Sequence, residues 1–206
     1  MVDPVVLLAF IPAGLALNLT PGADMMFCLG LGLRSGPRAA LAASAGISLG
    51  AFIHTALAGL GLSAVIAHLP WAFDAIRWVG VAYLLWLAWG ALKAAPMQAA
   101  ALRVPAARAF WEGLVVNLTN PKVVLFVLAF VPQFVVVERG AVLAQFMVFG
   151  VMLALGGFVI NGLVGLSSGG IGQRLAGSTR FNRGLGLASA AIFTALAVRL
   201  AVLQRG

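Results

Sequence analysis

Charge is what this chain has least of. Of its 206 residues only 9% are charged, 13 basic and 5 acidic, where a soluble domain carries about 25%. A surface that poor in charge cannot be kept in water. With 63% of residues apolar, much of the chain needs lipid as its solvent. A single cysteine, Cys28, excludes an internal disulfide and a dithiol redox mechanism. No paired histidines and no cysteine cluster are present, so neither a metal site nor a cofactor is read. The strict apolar-polar alternation of membrane-barrel strands is missing too, because the hydrophobic runs are apolar all round. The start, Met1-Val2-Asp3, lacks a basic n-region and is read as leading into the first span rather than as a cleaved signal.

What is there fits helices that cross a bilayer. A hydrocarbon core of about 30 Å takes about 20 helical residues, and helices satisfy their own backbone groups in lipid. Six apolar runs are expected: about Val5 to Leu33, Ala39 to Ala67, Trp71 to Leu92, Phe110 to Val137, Val142 to Leu166 and Leu185 to Leu203. A more polar linker, about Lys93 to Arg108 with Pro96, Gln98 and Pro105, divides the chain. It separates a first three-helix repeat (1–95) from a second (110–206), with residues 96–109 between them.

The net charge of +8 does not point to nucleic acid. The basic residues stand singly between hydrophobic runs, as residues that set membrane orientation do. Arg34 and Arg38, then Lys93, Arg103 and Arg108, then Arg174, Arg180 and Arg183 fall in loops of one side. The other side has Arg77 beside Asp74 and Arg139 beside Glu138, with Arg199 and Arg205 near the C-terminus. The excess of positive charge places the first set in the cytoplasm and both termini outside.

The two halves resemble each other. Asn18-Leu19-Thr20-Pro21 interrupts the first span and Asn117-Leu118-Thr119-Asn120-Pro121 the fourth. Leu49-Gly50-Ala51-Phe52-Ile53 matches Leu155-Gly156-Gly157-Phe158-Val159, and Phe73-Asp74 matches Phe181-Asn182. The offsets are 99 to 100, then 106, then 108, a drift in one direction. Three spans is an odd number, so the second repeat enters the membrane from the opposite side. Inverted repeats are a plan of secondary transporters, with the site near the midplane where matching helices are broken. The expected fold is thus an all-α integral membrane protein of six transmembrane helices, two inverted three-helix repeats with broken first and fourth helices.

The breaks have a chemical cause. Pro21 removes an N–H and crowds the Leu17 carbonyl, and Pro121 does the same to Asn117. The freed carbonyls need protein or a wet cavity beside them. Thr20-Pro21 and Asn120-Pro121 each read as an N-cap followed by proline at the first helical position, so each break offers a helix N-terminus that favours a carboxylate. Asp24 and Lys122 lie just beyond the prolines. An ionisable side chain in mid-span costs at least about 2.5–3.5 kcal/mol, so two at matching breaks point to substrate or proton handling; a structural ion pair locking the halves together is the competing reading. Asn18, Asn117 and Asn120 supply hydrogen bonds at the breaks. His54 and Asn161, inside the second and fifth spans, are further candidates for a cavity wall, with helix-helix hydrogen bonding as the plainer role for the histidine. Gly46-Ile47-Ser48-Leu49-Gly50 is a small-xxx-small pattern for close helix approach. Trp78, Tyr83 and Trp86 lie deep in the third span and are candidates for a cavity wall, with packing as the plainer role.

At these residues the chain resembles the LysE/RhtB family of amino-acid exporters. The likeness rests on Leu17 to Asp24 in the first span, Gly113 to Phe134 in the fourth with its Asn117-to-Lys122 and Pro132-Gln133-Phe134 stretches, Arg77 to Trp86 in the third, and Phe181-Asn182-Arg183-Gly184. It runs over nearly the whole chain in motif order. One departure is Ala23, where the family usually has a second proline. The resemblance implies export of amino acids or related small metabolites across the bacterial inner membrane, driven by proton exchange. The substrate site would comprise Asn18, Thr20, Pro21, Asp24, Asn117, Asn120, Pro121 and Lys122, with Asp24 binding the amino group or carrying the proton. Membrane lipid and an amino-acid cargo are the expected partners, and a homodimer is an assembly the sequence leaves open. A passive channel for small polar solutes is the main alternative and a metal-cation exporter the second. An intramembrane enzyme is disfavoured, because there is one intramembrane Asp rather than a pair and no Ser-His arrangement.

Overall fold

The computed structural model describes residues 2–68, 72–92, 103–168 and 178–202, and among them there is no strand. The described residues form eight α-helices in order: α1 (Pro4–Leu19), α2 (Ala23–Ser35), α3 (Pro37–His68), α4 (Ala72–Leu92), α5 (Ala106–Leu118), α6 (Pro121–Ala129), α7 (Val142–Leu166) and α8 (Thr179–Val202). By length and composition α3 and α7 are each long and apolar enough to cross a membrane. The pair α1–α2, and α5 together with the stretch Pro121–Phe134 that opens with α6, meet the same test, each bent by 53° at its break. Helices α4 and α8 carry shorter apolar stretches, Val81–Gly90 and Gly186–Ala195.

Local chemistry sets the helix ends. Asp3 caps α1 by accepting the Val5 N–H at 2.8 Å, and Pro4 opens the helix without an N–H to lose. The fifth expected run coincides with α7. The fourth does not continue as helix to Val137: α6 stops at Ala129, and two short 3-10 turns follow, Val131–Phe134 and Val137–Arg139. Pro132 explains this, since it has no N–H and its ring crowds the Leu128 carbonyl. Gln145 of α7 then holds the connection. Its amide accepts from the Val136 N–H and donates to the Val136 and Gly140 carbonyls, at 2.8–2.9 Å. Helix α5 begins at Ala106 and α8 at Thr179, each a few residues ahead of the expected starts. Trp71, Lys93, Pro96, Gln98 and Arg174 lie outside the described residues, as do the side chains of Asp74, Arg77, Phe181 and Asn182.

Helix α3 is central, packed along both α5 and α7, while α4 pairs with α8. Glycine allows the α3–α5 crossing. A Cβ on Gly46 would run into the Phe110 carbonyl oxygen, and one on Gly113 into that of Ala43. The expected close approach at Gly46 and Gly50 is therefore present, with α5 as the partner. Five buried phenylalanines, Phe10, Phe126, Phe130, Phe134 and Phe149, form a continuous aromatic cluster with ring centroids 4.7–6.0 Å apart. That spacing suits edge-to-face contact, and it joins α1 to α6, α7 and the turn between them.

Candidate functional site

The two breaks meet. Asp24, in the first turn of α2 and buried, turns its carboxylate toward the second break. Its Oδ2 accepts from Asn117 Nδ2 at 2.8 Å and its Oδ1 from Asn120 Nδ2 at 3.0 Å. Lys122, in the first turn of α6, reaches the other way. Its Nζ donates to the carbonyls of Leu17 at 3.0 Å and Thr20 at 2.9 Å. Each half thus places its charged residue on polar groups of the other half. Among the described residues Asp24 and Lys122 form no direct ion pair, so the locking-pair reading takes a different form: two crossed attachments through amides and carbonyls.

Proline dictates this wiring. The Leu17 carbonyl has no partner at Pro21, and Lys122 supplies one. The Asn117 carbonyl has none at Pro121. It accepts the Asn120 N–H at 2.9 Å and lies 3.3 Å from His54 Nε2. Asn120 caps α6 as expected, its Oδ1 accepting the Lys122 N–H at 3.0 Å. Thr20 does not cap α2. Its hydroxyl bonds back to the Ala16 carbonyl, and α2 starts at Ala23 after an extended Gly22. The reason is spatial. Lys122 Nζ occupies this break, 3.2 Å from where a Gly22 Cβ would stand, and the chain stays extended past Pro21 so that the Thr20 carbonyl can meet it.

A small cavity lies between the breaks, lined by Asn18, Asp24, Ser48, Asn117, Lys122 and Asn161 together with apolar side chains such as Leu17, Ile47 and Leu153. About 10 Å³ is open to the centre of a water molecule, room for about one water. The Oδ1 atoms of Asn117 and Asn161 are buried without a hydrogen-bond partner. A buried acceptor left alone costs about 1–3 kcal/mol, so both favour a donor-bearing guest. Asn161 belongs to this wall; His54 instead meets the second break through the Asn117 carbonyl. Pro21 and Pro121 shape the breaks and are not among the lining residues.

Three further contributors were not among the sequence-predicted site residues. Tyr83 is buried and donates to the Pro121 carbonyl at 3.0 Å, with Trp86 stacked on it at 5.4 Å. It is the only tyrosine of the chain, set in an apolar span, and that was the available signal. Ser48 contributes a hydroxyl to the wall, although it bonds the Ser44 carbonyl of its own helix. Gly50 and Gly156 are the third. A Cβ on Gly50 would sit 2.6 Å from Asn117 Oδ1, and one on Gly156 would sit 2.8 Å from Asn18 Nδ2. Gly50 thus receives Asn117, and Gly156 receives Asn18.

The LysE type translocator family matches residues 15–204. A homoserine/homoserine lactone efflux protein of Salmonella typhimurium is 34% identical over 146 residues, 69% of this chain and 70% of that protein. A leucine efflux protein of Klebsiella pneumoniae is 28% identical over 205 residues, 96% of this chain and 95% of that protein. No solved structure matches the chain. The family match takes in both breaks and every residue of the cavity between them, and the chain belongs to the LysE type translocator family.

Proposed function

We propose that this protein is a secondary transporter that exports an amino acid or a related small metabolite across the bacterial inner membrane by proton antiport. The carrying observation is the crossed attachment of Asp24 and Lys122 at two helix breaks of different halves. A zwitterion needs one anion-binding and one cation-binding group held at a fixed separation, and these residues supply one of each. The breaks, with Asn18, Thr20, Pro21, Asp24, Asn117, Asn120, Pro121 and Lys122, form the substrate site, and Asn161 belongs to its wall. Asp24 carries the exchanged proton or receives the ammonium group. Lys122 and the N-terminus of α6 face the carboxylate, as an N-terminus with free N–H groups favours.

The reading includes six spans in two inverted repeats, 1–95 and 110–206, with both termini outside. Several observations support it: equal 53° bends at the two breaks, reciprocal glycine-asparagine contacts, and corresponding packings, α1 against α7 beside α5 against α3 and α2 against α7 beside α6 against α3. The names of the relatives, homoserine and leucine efflux proteins, support an amino-acid cargo. A cavity that admits about one water suits an occluded state of an alternating site better than an open channel. One carboxylate with the Lys122 ammonium beside it suits a zwitterion better than a divalent cation, and the described residues gather no group of three or more His, Cys, Asp or Glu. The test is Asp24→Asn, measured as export from cells with the protein's presence in the membrane checked separately. Lost export with normal insertion is expected; undiminished export removes Asp24 from the mechanism.

A further inference from the structure

The cavity is unevenly furnished. Apart from Lys122, the residues that line it bring mainly acceptors that lack a partner or that the first break leaves to be met. They are the Leu17 carbonyl freed by Pro21, the Thr20 carbonyl beside it, and the partnerless Oδ1 atoms of Asn117 and Asn161. Acceptors gathered in a dry place call for a compact group with several N–H donors, and an ammonium has three. Lys122 Nζ is such a group, seated on two of them at 2.9 and 3.0 Å. The anion side is filled from within too, since the Asp24 carboxylate holds the Asn117 and Asn120 amides. The closed site therefore already contains one ammonium and one carboxylate, the two groups of an α-amino acid. Almost no free space remains for a second pair.

We propose that Lys122 is a resident stand-in for the substrate's ammonium: in the closed, substrate-free state its Nζ occupies the seat formed by the Leu17 and Thr20 carbonyls, and a primary ammonium ligand binds by displacing it. This rests on the reading above that the cargo carries an ammonium group. The exchange is like for like. Were Lys122 simply to swing away, two carbonyls would be left bare in a low-dielectric interior, at a full desolvation penalty. An incoming ammonium leaves every acceptor satisfied and frees Lys122 for the carboxylate of the same molecule. Gly22 fits this role. It leaves the room in which Nζ sits, 3.2 Å from the position a Cβ would take. The arrangement also guards against an empty site staying open, because the lysine ties the second half to the first whenever no cargo does.

An internal competitor reduces apparent affinity by the fraction of time it occupies the seat. A ligand carrying an ammonium and no carboxylate isolates that effect. The experiment uses the full-length protein in detergent with four probes: L-leucine, L-homoserine, 3-methylbutylamine and 4-methylpentanoate. Binding is measured by calorimetry to the natural chain and to Lys122→Met, which keeps the length of the side chain without its charge. Lys122→Met is expected to bind 3-methylbutylamine about tenfold more tightly, as loss of a competitor present nine-tenths of the time would give. In parallel, acetylation of Lys122 in the natural chain is followed by mass spectrometry. The amine should accelerate it, because displacement turns Nζ out of its seat, and this readout does not depend on the variant folding. If leucine or homoserine binds but the amine neither speeds Lys122 acetylation nor gains affinity in a folded Lys122→Met, the stand-in role is overturned and the cargo reading survives. If none of the four probes binds either protein, the amino-acid reading falls and the stand-in role falls with it.

Discussion

Asn120 does two jobs with one amide, and substitutions can separate them. Its Oδ1 caps α6 by accepting the Lys122 N–H, while its Nδ2 donates to Asp24 Oδ1 at 3.0 Å. Asn120→Ala removes both. Loss of a cap costs about 0.5–2 kcal/mol, and loss of a hydrogen bond to a charged group about 1.5–3 kcal/mol, so about 2–5 kcal/mol in all is expected. Asn120→Ser keeps an oxygen that caps well but has no amide to offer Asp24, so it should lose about 1.5–3 kcal/mol only. The Asp24 share is isolated by a double-mutant cycle of Asn120→Ser with Asp24→Ala, read by reversible unfolding in mixed detergent micelles. Side-chain hydrogen bonds between membrane helices average about 0.6 kcal/mol in such cycles. A buried carboxylate with two amide donors should exceed this, with a coupling of about 1.5 kcal/mol or more. A coupling at or below the ordinary membrane value, or an Asn120→Ser protein as stable as the natural one, would refute the reasoning that Asp24 is held by the second break.

Other expectations follow from the packing and the outer contacts. Gly113→Ala should destabilise by about 1–3 kcal/mol in the same unfolding assay, because its Cβ would meet the fixed Ala43 backbone oxygen. Gly61→Ala, where nothing lies within 4 Å, should be neutral or stabilising by about 0.5–1 kcal/mol. Gln145→Leu removes three hydrogen bonds to the 136–140 segment. It should cost about 2–4 kcal/mol at roughly 1 kcal/mol per bond, and amide hydrogen exchange should speed up there first. The Val5 N–H and then Arg139, which bonds it at 3.0 Å, hold the Asp3 carboxyl below its ordinary value of 3.8. A lowered folded value means the contribution is complete above about 3.8 and fades as pH falls through the lower folded value. The stability difference between the natural chain and Asp3→Asn should therefore be present at pH 7 and shrink below pH 4 in thermal unfolding.

Much of the helical plan was legible because its signals are local. Apolar runs set the helices, and α7 ends where its run ends. Pro21 and Pro121 marked both breaks, and Asn120 capped the second as its residue type suggests. The first break was misjudged at Thr20. Its geometry depends on Lys122, about a hundred residues away, and no pattern around Thr20 records that visitor. The end of the fourth run was also misread, since the apolar stretch continues past Pro132 while the helix does not. Asp24 and Lys122 stood out through their cost in lipid, but their partners did not. The bonds to Asn117, Asn120, Leu17 and Thr20 span 93 to 105 residues. Two of these partners are backbone carbonyls, which every residue type possesses. Tyr83 was hidden for a related reason: its apolar ring fits a packing role, and only its hydroxyl reveals the contact with Pro121.

Coupled, alternating transport is the property on which the proposed function rests. The most direct measurement follows labelled leucine and homoserine in vesicles reconstituted with the purified protein, with and without a pH gradient. Accumulation above the equilibrium level, driven by proton flow in the opposite direction and lost in Asp24→Asn, is the predicted result. Passive equilibration of either solute, unaffected by the gradient and intact in Asp24→Asn, would contradict it.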